Sequence, residues 1–95
     1  MPLAPGSLKC VIAWSAQRAL RDPIEEALRA HVSAENIRNI DAATFLVYTD
    51  AEPADVRDWL TPHLQDGEPI FVVEFERWSG YGPAVDRDWL LRRGH

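Results

Sequence analysis

Ninety-five residues make one domain with a modest core. Hydrophobic residues are 46% and charged ones 26%, a balance that excludes a disordered chain. The formal charge of -5 argues against a general nucleic-acid binder, whose affinity rests on Lys and Arg against phosphates.

Met1 to Ser7 holds two prolines and a glycine and reads as a flexible start. It has no basic start and no apolar core, so it does not read as a signal peptide. Leu8 to Trp14 is the first strand, apolar enough to be central and covered on both faces. Asp22-Pro23-Ile24-Glu25 opens a helix that runs to His31 or Val32, with Asp22 as cap and Glu25 closing a capping box. Ile24, Ala27 and Leu28 share its apolar face.

Asn36 to Asp41 alternates and reads as a half-buried strand. Ala42-Ala43 lacks Gly or Asn, so the turn to the next strand is bent rather than tight. That strand is Thr44 to Thr49, rich in β-branched and aromatic residues. A second helix starts at Pro53 behind Glu52, a poor cap, with Asp55 favourable against the helix dipole. It runs to Leu64, and Pro62 kinks or ends its last turn. Ile70 to Phe75 is the fourth strand. Ser79 to Pro83 is a loop, and Asp86 to Arg93 is a short helix with Arg92-Arg93 at its C-terminal end.

The order β-α-β-β-α-β predicts an α+β, ferredoxin-like sandwich. Its sheet is antiparallel, with two helices on one face and a short C-terminal arm. The domain spans residues 8–78, between the flexible start (1–7) and the arm (79–95).

No complete catalytic set is visible. Asp22, Glu25, Asp41 and Asp50 sit at element ends, where carboxylates could gather on Mg²⁺, but capping or strand ends account for each. His31, His63 and His95 have no metal spacing with another ligand. Cys10 lies among apolar neighbours, where a thiol behaves as a small inert hydrophobe. A single cysteine also permits no disulfide within the chain, which predicts a reducing, cytoplasmic setting. Ser15 has no nucleophile elbow around it. Gly80-Tyr81-Gly82 is too short to cradle a phosphate. Arg18, Arg21, Arg87, Arg92 and Arg93 could form a basic patch, but a solvated surface is the plainer account. No apolar run approaches a membrane span.

Four tryptophans, Trp14, Trp59, Trp78 and Trp89, are many for this length. Trp is enriched at interfaces. Trp78 and Tyr81 flank the glycine loop, and either a protein interface or the edge of the core explains them. Trp89 and Leu90 are the packing residues of the last helix.

The run Thr44-Phe45-Leu46-Val47-Tyr48-Thr49-Asp50, the helix Val56-Arg57-Asp58-Trp59-Leu60-Thr61-Pro62-His63-Leu64, and Ile70-Phe71-Val72-Val73-Glu74-Phe75 with Trp78 carry a likeness. Over Lys9 to Trp78 the chain resembles the SinR-like small proteins, relatives of the CRISPR-associated adaptation scaffold. The resemblance implies a ferredoxin-like homodimer whose segment after Trp78 packs on, or adds a strand to, the partner's sheet. Trp78, Tyr81, Trp89 and Leu90 are then interface residues. Nuclease-type members of that family resemble one another in a Tyr-Asp at the end of the first strand, where the Asp binds metal. This chain has Trp14-Ser15 there, and a neutral hydroxyl is a weak Mg²⁺ ligand.

These readings favour a non-catalytic homodimeric interaction or scaffold protein, associated with defence or a mobile element through the resemblance. It needs no cofactor, lies outside the membrane and has a further protein as a possible partner. The alternative is a Mg²⁺-dependent ribonuclease or deoxyribonuclease using Asp41 and Asp50. A small-ligand sensor domain is the third class, on fold analogy alone.

Overall fold

A computed structural model of the protein describes residues 5–93. Its elements are β1 (Ser7–Ala13), α1 (Arg21–Arg29), β2 (Ile37–Asp41), β3 (Thr44–Thr49), α2 (Pro53–Leu60), β4 (Ile70–Phe75) and α3 (Arg87–Arg93). Short 3₁₀ turns, Ala34–Asn36 and Thr61–His63, precede β2 and follow α2. The four strands form one antiparallel sheet in the order β2-β3-β1-β4. This is the α+β, ferredoxin-like arrangement that the element order predicts.

Side chains alternate across a strand, so residue parity sorts the two faces. Val11, Ala13, Phe45 and Val47 face the layer made by α1 and α2, where Ile24, Leu28, Val56 and Leu60 are fully buried. Leu8, Leu46 and Tyr48 have the other parity, and they pack with Trp89 and Leu90. Two helices therefore cover one face, and α3 lies on the opposite one. A covered second face explains why β1 and β3 are apolar at both parities.

Local corrections concern the helix ends. α1 starts at Arg21 behind Leu20, and no side chain caps it. Asp22 stands inside the first turn, where its charge complements the free N–H groups without capping them. Pro23 is third in the helix, where its missing N–H is one of the four without an intrahelical partner. The helix closes at Arg29, and the His31 and Val32 N–H groups both donate to the Leu28 carbonyl (3.0 and 2.9 Å). In α2 the Glu52 N–H donates to the Asp55 carboxylate at 3.2 Å. Its α-helical part ends at Leu60, and Pro62 sits in the 3₁₀ turn beyond.

The β2–β3 turn works without Gly or Asn. The Asp41 carboxylate accepts the Ala43 N–H at 2.8 Å, and the register shifts between Asn39 and Asp41. No residue other than glycine takes a positive φ among the described residues, so the tight primed turn is absent there.

Candidate functional site

The second face of the sheet has two unlike halves. α3 covers the half over Leu8, Leu46 and Tyr48. Asp86 caps it: the Trp89 N–H donates to the Asp86 carboxylate at 3.1 Å, and this bond holds that carboxyl below the usual range, helped by Arg38 at 3.2 Å. Trp89 is fully buried, and its Nε1–H donates to the Glu35 carbonyl at 2.6 Å. The Arg93 guanidinium lies 4.6 Å from the Trp89 ring and also donates to Asn36 Oδ1 and the Glu35 carbonyl. Trp89 and Leu90, expected at a partner interface, are thus covered by the chain's own sheet. Trp78 is half-buried at the margin of the same cluster, and Tyr81 is fully exposed.

Among the described residues, no helix covers the other half. Phe71 is 57% exposed and Val73 38%. They share one face of β4, and the pairing sets them beside Ile12 and Cys10 of β1, both partly exposed. Trp14, just past the end of β1, is half exposed. This strip is the open apolar surface of the sheet. Sequence reading missed it because Phe71 and Val73 look like core strand residues.

The predicted acids do not meet. Asp41 ends β2 and Asp50 follows β3, so the length of β3, roughly 20 Å, separates them. No group of three or more His, Cys, Asp or Glu suited to a metal ion occurs among the described residues. Burial, and secondarily the charge of Asp41, pushes the Cys10 thiol up, which disfavours the reactive thiolate. His31 stacks flat on Trp59, with ring centroids 4.3 Å apart. His63 lies in the second 3₁₀ turn, and His95 falls outside the described residues.

Ser15 follows Trp14 past the end of β1, in an open cleft bounded by Trp14, Gln65, Asp66 and Glu68. Arg18 grips Glu68 there with two bonds, Nε to Oε2 at 2.8 Å and Nη2 to Oε1 at 2.7 Å. The Glu68 side chain is 6% exposed and also accepts the Gln65 N–H. Arg18, then that N–H, holds the Glu68 carboxyl down at about 2 against an ordinary 4.5. A depressed acid stabilises the fold above its unfolded pKa and loses that contribution as pH falls through the folded value. Glu68→Gln is therefore expected to flatten the fall in melting temperature between pH 4.5 and 2 relative to wild type. Parallel thermal-melt curves for the two proteins across that window would remove the Arg18–Glu68 pair from the acid limb.

Among the described residues, Lys9 is the charged residue buried on the α1/α2 side of the sheet. It is 1% exposed, and its ammonium donates to Ser7 Oγ and the Thr49 carbonyl, each at 2.7 Å, with Glu74 at 3.3 Å. The Ser7 hydroxyl donates to Glu74 at 2.7 Å. Glu74 is held below its usual range, chiefly by Ser7 and then by Lys9, which makes it a poor base for activating that serine. The cluster is structural: the Lys9 ammonium has three oxygen partners, Ser7, Thr49 and Glu74.

No helix among the described residues is long and apolar enough to cross a membrane. Compared with known proteins, no family model, no curated protein and no solved structure matches this chain.

Proposed function

We propose that this chain is a non-catalytic interaction protein that works as a homodimer. The supporting observation is the uncovered half of the second face, with Phe71 and Val73 standing in water beside Ile12 and Cys10. Burying a Phe or Val side chain contributes ~1.5–3 kcal/mol, and a two-fold contact counts each residue twice. The separation of Asp41 from Asp50, together with Ser15 where an acid would be needed, weighs against the metal-nuclease alternative. The resemblance to the CRISPR adaptation scaffold supports the dimer, and a role beside a defence system or mobile element rests on that likeness alone.

Light scattering behind size exclusion tests the reading, run with and without short duplex DNA or RNA in Mg²⁺. The expected result is a species of twice the 10.8 kDa chain mass that ignores nucleic acid. A monomer at every concentration would sink the proposal. Cleavage of the nucleic acid would return the enzyme reading.

A further inference from the structure

The two edges of the sheet are unlike. β2 is short, bulged between Asn39 and Asp41, and carries Arg38 tied to Asp86. Those are the features by which proteins protect an edge strand from pairing. β4 is one residue longer and unbulged, and its one charged side chain, Glu74, is engaged by its own Lys9 and Ser7. The strand keeps unbroken register with β1 from Ile70 to Phe75, and it contains no Pro, Gly, Lys or bulge. Among the described residues, nothing pairs with its outer side in the sheet. Its N–H and C=O groups on that side are a ready template for another strand.

We propose that the β4 edges of two copies pair antiparallel about a two-fold axis at Val72, joining two four-stranded sheets into one of eight strands. This rests on the dimer reading above and states how the dimer forms. The strand is complementary to itself in that register. Phe71 stands opposite the partner's Val73, and Val73 opposite the partner's Phe71, an aromatic–β-branched pairing that suits neighbouring strands. These are the two β4 residues most exposed on the second face, and the pairing merges both copies' pairs into one apolar strip. On the other face, a shallow groove between β4 and Pro53, Ala54 and Arg57 of α2 runs along the same edge.

Charge permits the contact. Glu74 meets the partner's Ile70, and the two Glu74 carboxylates lie four positions apart, roughly 13 Å. That exceeds the screening length of ~8 Å at physiological salt. Each Glu74 is also engaged by its own Lys9 and Ser7. A face-to-face stack of the two sheets is the competing geometry. α3 stands on that face with a helix's thickness of about 10 Å, so a second sheet cannot lie flat on it.

The test is residue-level amide hydrogen exchange by NMR on the full chain, at concentrations above and below the dimer midpoint from light scattering. The expected result is that alternate β4 amides, those facing outward, exchange at least about tenfold slower in the dimer while β2 edge amides do not change. Val73→Lys, at a position already partly exposed, is expected to raise the dimer Kd by about a hundredfold without unfolding the monomer. A dimer whose outward β4 amides exchange as fast as the monomer's overturns edge pairing and leaves the dimer reading standing. A chain that stays monomeric throughout overturns both. A Val73→Lys protein that dimerises as tightly as wild type also overturns the edge contact.

Discussion

Trp89→Ala is expected to lower the free energy of unfolding by about 3–5 kcal/mol, the cost of emptying a fully buried aromatic site. The ring is the centre of the second-face cluster and has no exposure at all. Its loss leaves Leu8, Leu46 and Tyr48 without their cover. It also leaves the Glu35 carbonyl without the indole donor, and it removes the ring beside which Arg38 and Arg93 lie. A domain of this size has roughly 5–15 kcal/mol in total, so one substitution in a seven-residue helix consumes a large share. Urea unfolding followed by far-UV circular dichroism measures it. A loss below about 1 kcal/mol would mean that α3 is not held where the contacts put it.

Lys9→Ala is the second large effect, at about 2–4 kcal/mol. The side chain is as buried as the core aliphatics. Alanine removes its stem from the packing and leaves the Thr49 carbonyl without its donor. Lys9→Met separates those two contributions. Methionine keeps most of the stem and gives up only the ammonium. Ser7 and the half-exposed Glu74 still bond to each other, so the remaining penalty is expected near 1 kcal/mol. Equal losses for Ala and Met in parallel denaturant titrations would show that the charge, not the stem, holds this end of the sheet.

Much of the fold is legible in the residues. Thr44 to Thr49 is a strand with the expected bounds, because the run is rich in β-branched and aromatic residues and holds nothing to break it. The last helix is legible from Asp86 before Trp89-Leu90 and Arg92-Arg93. What it packs against is not, since two adjacent apolar residues mark a buried side without naming the surface that buries it. A clue does exist in β1. A strand apolar at both parities needs a cover on both faces, and α1 and α2 supply only one. Asp86 to Arg93 is the remaining helix that could supply the other. The burial of Lys9 is illegible for a related reason. Lys9 shares parity with Val11 and Ala13, which places it indoors, but its partners Thr49 and Glu74 lie on two other strands. Pairing partners that far apart in sequence are invisible until the strand order is known.

The surface residues follow the same logic. Phe71 and Val73 sit in Ile70-Phe71-Val72-Val73, a run that reads as interior from end to end. Only the sheet order, which leaves β4 at an edge, and the placement of α3 over the far half turn them outward.

The position of α3 also sets an order of events in folding. Its anchors lie far back in the chain: Trp89 reaches Glu35 across 54 residues, and Arg93 reaches Asn36 across 57. The surface that it covers is built from β1 and β3, so the helix has nothing to dock on until those strands have paired. During synthesis all four strands precede it. In that interval a growing chain presents Leu8, Leu46 and Tyr48 bare, next to the open β4 edge. Transiently bare apolar faces and free strand edges are what make folding intermediates stick to one another. Docking of α3 ends the exposure of that half of the face and leaves the β4 edge open.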